Sequence, residues 1–182
     1  MFRHGYRKIA WWGVALLAAL ALGACREEYV HVGERWASLS KLAESADPIA
    51  VRVDGPAGGA VGDKVQFKVT SRDDGYLWVV EVDSEDRVSL LFPNDDERDN
   101  RVTGGRERLV PGGSYSLVLD QPTGVHLLAF VVTSQDRGLD RILPASVRDA
   151  LRRDAAEGAQ PMGVTLDRGL RWGWRKQVIK VN

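Results

Sequence analysis

Apolar residues recur at every second position from Ile49 towards the C-terminus, which is the spacing of β-strands that bury one face. Glycine, proline and aspartate, which favour turns, separate the runs. The predicted strands lie at residues 49–53, 65–69, 76–82, 88–92 and 115–119, with one or two closing strands in 172–181. So many short strands at regular spacing predict an antiparallel β-sandwich over residues 49–182.

The strand at residues 76–82 follows Asp73-Asp74-Gly75, which predicts a hairpin turn in which Gly75 has a positive φ. Alternation in this strand places Glu81 and Asp83 on a face opposite the apolar residues. The face expected to fill the core carries Tyr76, Trp78, Val80 and Val82.

An almost unbroken apolar run at residues 125–133 predicts a central strand that is buried on both faces. Residues 95–113 are instead polar and rich in glycine. They predict a long loop with a short edge strand near residues 108–110.

Residues 142–157 change to helical spacing. Pro144 suits a first turn, while Val147, Ala150 and Leu151 form a narrow apolar stripe. Gly158 is expected at the C-terminal cap. This segment predicts one short surface helix near residues 144–157.

Residues 25–48 are expected to form a tether ahead of the sandwich. Trp36, Leu39 and Leu42 fall at helical spacing, and Pro48 ends the pattern. We expect a short amphipathic helix that packs on the domain. A helix lying on the membrane surface is the alternative, but the glutamates of this segment make an anionic surface a poor host.

Residues 1–24 have the layout of a secretory signal, with basic residues, an apolar run at 9–22 and then small residues. The apolar run is short for a membrane span. It ends in Leu22-Gly23-Ala24-Cys25, which resembles the bacterial lipobox, where a peptidase cuts before a cysteine whose thiol has been diacylated. The resemblance implies a signal peptide at 1–24 and lipidation of Cys25. An uncleaved signal anchor with an incidental cysteine is the alternative.

Acylation at Cys25 would anchor the mature chain stably, because several acyl chains bind a bilayer more strongly than one. Loss of the signal removes three basic residues and no acidic one, which leaves a net charge of −3. By resemblance to such lipoproteins, Arg26 in place of aspartate favours sorting to the outer membrane, facing the periplasm.

The composition excludes several classes of function. The 25 basic and 25 acidic residues cancel, so no overall field attracts nucleic acid. A single cysteine excludes an internal disulfide and any cysteine-built metal site, and there are three histidines. We expect no cofactor.

Few residues form a pattern that predicts catalysis. His31 lies in the tether and His126 in a strand, and no nucleophile–base pair is suggested near either of them. Asp83 and Glu85 could form the carboxylate pair of a glycosidase, but acids are common at a hairpin turn such as theirs. We therefore expect a protein that is not an enzyme.

The acids at the start of the 95–113 stretch are candidate calcium ligands. A calcium loop that begins at Asp95 or Asp96 lacks glycine at the sixth position, and from Asp95 the twelfth position is Arg106. Interleaved arginines would also neutralise the acids, so a solvated loop is the preferred interpretation. Two glycine pairs, at 104–105 and 112–113, lack the pattern of a phosphate-binding loop.

Trp172 and Trp174 are two residues apart and are expected on the same strand face. They would suit stacking on the sugars of peptidoglycan, but aromatic residues of the core or of a lid are the preferred interpretation. An arginine-rich helix face at Arg148, Arg152 and Arg153 is expected to face solvent.

Three stretches of this chain resemble the domain of unknown function 4384. They are Val61-Gly62-Asp63-Lys64, then Gly75-Tyr76-Leu77-Trp78 continuing to Asp83, and Leu90-Leu91-Phe92-Pro93-Asn94. The resemblance covers residues 61–135 and implies a small β-rich module, frequent in bacterial envelope proteins, with no catalytic residues to carry over. In this motif Gly75 would make the turn and Phe92 would close the core before Pro93 ends the strand.

The overall layout also resembles, more weakly, the outer-membrane lipoprotein of type VI secretion, which has a transthyretin-like sandwich. The lipobox, the compact sandwich and the late Trp174-Arg175 strand carry this likeness. We therefore expect an outer-membrane lipoprotein that serves as a binding or assembly module of an envelope or secretion complex, with the 95–113 loop as the protein contact. A peptidoglycan-binding lipoprotein is the alternative.

Overall fold

The computed structural model describes residues 33–155 and 169–182. Contacts divide the chain into residues 1–30 and 31–182, so every described residue belongs to the second unit. The helices are α1 (Glu34–Leu39), α2 (Leu139–Ile142) and α3 (Ala145–Ala155). The strands are β1 (Val51–Asp54), β2 (Gly58–Gly59), β3 (Lys64–Val65), β4 (Phe67–Ser71), β5 (Gly75–Val82), β6 (Val88–Phe92), β7 (Arg101–Val102), β8 (Glu107–Val110), β9 (Leu117–Val118), β10 (Gly124–Thr133) and β11 (Trp172–Val181).

The strands form two facing sheets and a short ribbon. The large sheet has the order β2-β11-β10-β5-β6, with β7 also paired to β5. The small sheet has the order β1-β4-β8, and the ribbon pairs β3 with β9. The pairs among these strands are antiparallel except β2 with β11. The predicted mainly β, sandwich-like fold is confirmed, including a helix close to residues 144–157.

The large sheet is buried on both faces. One face packs against the small sheet and the ribbon around Phe67, Phe92 and Phe130, each fully buried. The ring centroids of Phe67 and Phe130 lie 5.0 Å apart and the ring planes are inclined by 56°. Aromatic pairs favour such a tilted arrangement. The other face packs against helices, with Leu39 of α1 and Val147 of α3 fully buried there. The strand predicted as central, β10, lies in the middle of this sheet.

Helix α1 is fixed to the domain at both ends. Asp86 in the β5–β6 turn accepts hydrogen bonds from the backbone N–H groups of Arg35 (3.1 Å) and Trp36 (2.9 Å) at the start of the helix. A carboxylate at this end also suits the helix dipole. Leu39 and Leu42 are buried in the helix-side core. No helix among the described residues is long and apolar enough to cross a membrane.

The predicted hairpin at Asp73-Asp74-Gly75 is wrong. Strand β4 belongs to the small sheet and β5 to the large sheet, so this turn carries the chain from one sheet to the other. Gly75 does not have a positive φ. It begins β5 where a Cβ would lie 2.7 Å from the carbonyl oxygen of Thr133, so glycine is required by the close approach of β10.

The expected core face of β5 needs correction as well. On the helix side Val80 and Val82 are fully buried as expected, and Trp78 is half-buried there, where its indole N–H donates to Thr133 Oγ1 at 2.9 Å. Tyr76, near the start of β5, is also half-buried. The core between the sheets is filled instead by Leu77 and Val79. Because β5 is central, its second face is an interior rather than a solvated surface, and Glu81 lies on that face.

Candidate functional site

The 95–113 loop is built around a turn made by Asn94. Its side-chain oxygen accepts hydrogen bonds from the backbone N–H groups of Asp96 (3.1 Å) and Glu97 (2.9 Å). Its side-chain nitrogen donates to the carbonyl of Leu91 at 3.0 Å. Such a turn is a usual role for asparagine. It fixes the start of the loop immediately after Pro93, where β6 has ended.

Arg108 closes the open side of the sandwich beneath this loop. Its guanidinium donates to Glu97 Oε1 at 2.7 Å and to the backbone carbonyls of Asp99 and Arg101. It also lies over the ring of Phe92, 5.3 Å from the centroid. Arg108 and Glu97 are only 23% and 15% exposed in their side chains, so this ion pair is shielded from solvent. Strand β8, within the loop, is thereby held to residues 97–101 by one side chain.

The outer surface of the loop remains charged and accessible. Asp95 and Arg98 form an ion pair at 2.9 Å with side chains 96% and 81% exposed, and Asp99 pairs with Arg101 at 3.0 Å. Hydrogen bonding from Arg101 lowers the pKa of Asp99, which stays ionised. The loop therefore presents alternating charges on a pre-formed backbone, an arrangement that suits recognition of a charged partner surface.

The glycine pairs in this loop bind protein carboxylates through their backbone. The N–H of Gly104 donates to Asp74 Oδ1 at 2.7 Å, and that of Gly112 donates to Glu97 Oε2 at 2.9 Å. Gly105 and Gly113 supply positive φ values of 74° and 110° for the turns. These glycines shape the loop.

A cavity of about 350 Å³ lies between the large sheet and the ribbon. This volume is within the range of small-molecule sites. Its apolar walls come from Val65, Val88, Leu91, Leu117, Val118, Leu119, Leu128, Ile179 and Val181. Its polar lining residues are Glu81, Asp83, Arg87, Ser89, Asp120, Gln121 and His126.

His126 is 5% exposed, and both of its ring nitrogens face acceptors. Nδ1 lies 2.8 Å from Glu81 Oε1 and Nε2 lies 2.8 Å from the carbonyl of Pro122. Two acceptors favour the doubly protonated ring. Hydrogen bonding to Glu81 accordingly raises the pKa of His126 above 6.5, although burial opposes the shift. A ring held in this way has no free lone pair to act as a general base.

We predict that this pair makes stability depend on pH. Because the pKa of His126 is raised in the folded state, the stabilisation by the protonated pair is fully present below pH 6.5. It is lost as the pH rises through the raised pKa. His126→Gln should lower the free energy of unfolding by about 1–2 kcal/mol at pH 6, and by less at pH 9. Urea unfolding of both proteins from pH 6 to 9 measures the difference. A difference that stays constant across this range contradicts the protonated pair.

The two carboxylates predicted at the β5–β6 turn have different environments. Asp83 is 8% exposed and accepts hydrogen bonds from the backbone N–H groups of Glu85 (2.8 Å) and Arg87 (2.9 Å) and from Arg87 Nε (2.7 Å). Burial raises the pKa of Asp83, but these hydrogen bonds outweigh it and the pKa is lowered. Glu85 is 60% exposed and pairs with Arg87 at 3.2 Å. Asp83 stabilises the turn.

Trp172 and Trp174 contact the domain itself. The indole N–H of Trp172 donates to the carbonyl of Ala43 at 3.0 Å, and Trp174 packs against the helix-side core. Both are half-buried, and on the neighbouring strand β10 Trp172 is paired with Thr133 and Trp174 with Val131. These contacts tie β11 to the segment that follows α1.

Several predicted site residues lie outside the described residues, namely Cys25, the lipobox residues Leu22, Gly23 and Ala24, His31 and Gly158. Within residues 33–155 and 169–182, no group of three or more histidine, cysteine, aspartate or glutamate side chains is placed to hold a metal ion.

Residues 60–136 match the family model of the Domain of unknown function (DUF4384). The matched stretch runs from the turn before β3 to just beyond β10, and it contains the 95–113 loop and most of the residues that line the cavity. The resemblance seen in the sequence at residues 61–135 is thereby confirmed. No curated protein and no solved structure matches the chain.

Proposed function

We propose that the chain is an outer-membrane lipoprotein, acylated at Cys25 and facing the periplasm, whose sandwich is a non-enzymatic binding or assembly module of an envelope or secretion complex. The observation that carries the binding role is the pre-formed 95–113 loop. Its backbone is fixed from inside by Asn94, Glu97 and Arg108, so a partner would bind it with a small loss of loop entropy.

The state of the polar groups supports a role without catalysis. Both ring nitrogens of His126 face acceptors, and the oxygens of Asp83 accept three hydrogen bonds. Neither residue therefore has the free donor or acceptor capacity that acid–base catalysis needs. The resemblance of Leu22-Gly23-Ala24-Cys25 to a lipobox supports the anchor. The weaker likeness of the sequence layout to the type VI secretion lipoprotein supports a secretion machine as the complex.

Cys25→Ser tests the anchor. Because the serine hydroxyl cannot take the place of the thiol in acylation, we expect the variant to leave the membrane fraction or to accumulate unprocessed. Fractionation of cells, with the intact mass of the wild-type N-terminal peptide, measures both results. Normal cleavage of the variant together with full membrane retention would refute the lipoprotein proposal.

An exchange of charges tests the loop contact. In the double variant Asp95→Arg with Arg98→Asp the exposed ion pair keeps its two charges in reversed positions, so the free energy of unfolding should change by less than about 0.5 kcal/mol. We expect about tenfold less partner protein to co-purify from solubilised membranes. Each reversed charge of the loop would then face a partner charge of the same sign.

The matched control is Arg52→Asp with Asp54→Arg, an exposed ion pair of 2.9 Å on β1, outside the loop. It should retain the wild-type amount of partner. Equal recovery from the two double variants would place the contact elsewhere and contradict the role of the loop.

A further inference from the structure

The cavity between the large sheet and the ribbon contains a carboxylate with unused acceptor capacity. Glu81 accepts from His126 Nδ1 through Oε1, whereas no side chain or backbone group of the described residues donates to Oε2. The side chain is 22% exposed and lines the cavity. A carboxylate oxygen favours a hydrogen-bond donor, and at Glu81 Oε2 this donor must come from water or from a ligand.

The other charges of the cavity select the kind of donor. Among the described residues that line it, the carboxylates are Glu81, Asp83 and Asp120, and the cations are His126 and Arg87. Both cations already bind carboxylates of the protein, His126 that of Glu81 and Arg87 that of Asp83. An anionic ligand would therefore meet an excess of negative charge, while a cationic group would be attracted.

The apolar walls of the cavity favour a cationic group that is attached to an alkyl chain. The apolar lining includes Leu117 and Leu119 on the ribbon side and Leu128 and Ile179 of the large sheet, which all belong to or pack against the core between the sheets. An unbranched alkyl chain would bury its methylenes there, at about 0.8 kcal/mol for each one.

We propose that this cavity binds an alkylammonium group, with the ammonium at Glu81 Oε2 and the alkyl chain between the leucines. The site is separate from the 95–113 loop and does not depend on the proposed assembly role. A free primary amine and the lysine side chain of a protein both carry such an alkylammonium group.

The experiment follows the amide NMR shifts of the full chain, purified in non-ionic detergent, during titration with n-pentylammonium. We expect saturable shifts at Glu81, Leu119 and His126. Sodium hexanoate and 1-pentanol carry the same n-pentyl chain but lack the ammonium, and should bind at least about tenfold more weakly. No saturable shift at these residues, or equal binding of the three compounds, would overturn the proposal.

Glu81→Gln is the matched variant, because the amide oxygen keeps an acceptor for His126 and the amide nitrogen replaces the free oxygen. We expect it to weaken n-pentylammonium binding about tenfold or more. Glu107→Gln, the same change at an exposed residue of β8 outside the cavity, should bind as wild type does. Unchanged affinity in Glu81→Gln would refute the position of the ammonium, and the three-compound series stands even if this variant fails to fold.

A second titration distinguishes the sources. N-acetyl-lysine-N-methylamide carries the same ammonium on the side chain of a peptide unit. Tighter binding than n-pentylammonium assigns the site to the lysine of a protein, and weaker binding assigns it to a free amine. Both results support the alkylammonium site.

Discussion

Gly173→Ala is expected to lower the free energy of unfolding by about 3 kcal/mol. A Cβ at Gly173 would lie 1.7 Å from the carbonyl oxygen of Ile49, a distance that no rotation of a side chain can relieve because the clash is with backbone. Ile49 is 2% exposed in the core between the sheets, and its N–H donates to the carbonyl of Trp172 at 3.1 Å. The segment that leads into β1 would have to move away from β11.

Urea unfolding of Gly173→Ala and of Lys176→Ala measures this effect. Lys176 is exposed on the same strand, so its replacement should change the free energy of unfolding by less than about 0.5 kcal/mol. A loss of less than about 1 kcal/mol in Gly173→Ala would show that β1 and β11 are not in such close contact.

Arg108→Ala is expected to cost about 2–3 kcal/mol of unfolding free energy and to loosen the 95–113 loop. The change removes the partner of Glu97, which is 15% exposed in its side chain, and leaves two backbone carbonyls without their donor. Arg108→Lys keeps the charge but not the planar fork, and should give an intermediate loss.

Urea unfolding and amide hydrogen exchange across the loop measure the two effects. Arg106→Ala removes an exposed arginine two residues away and is the matched control, with an expected change below about 0.5 kcal/mol. Equal stability of Arg108→Ala and Arg106→Ala would contradict the role of Arg108 in closing the sandwich.

Local pattern is sufficient for the longer strands and for the main helix, but not for the two-residue strands β2 and β7. The apolar run at 125–133 identifies β10 as central, because a strand with apolar residues at nearly every position is buried on both faces. Pro144 and the stripe at Val147, Ala150 and Leu151 locate α3. Such features depend on residues close in sequence, and periodicity reports them directly.

Contacts between distant segments do not follow from the same pattern. Asp73-Asp74-Gly75 has the composition of a hairpin turn, yet the chain crosses there to the other sheet, because turn residues do not specify which sheet the next strand joins. Gly173 carries no local signal either, since its requirement for glycine comes from Ile49, more than a hundred residues earlier.

The two candidate sites also differ in how far the sequence predicts them. The polar, glycine-rich composition identifies the 95–113 loop, and the structure adds Arg108 as the side chain that fixes it. The cavity is hidden from sequence reasoning because Glu81 alternates with apolar residues, a pattern typical of a solvated face. Only the packing of the ribbon over that face turns Glu81 and His126 into cavity residues.

Photo-crosslinking in living cells tests whether the 95–113 loop contacts a protein of the envelope. A photoreactive amino acid replaces Arg98 in the loop, or Arg52 on β1, whose side chain is similarly exposed at 77%. We predict a reproducible link from position 98, and not from position 52, to a protein of an envelope or secretion complex. Links to peptidoglycan fragments alone, or equal links from both positions, would contradict a protein-binding role for the loop.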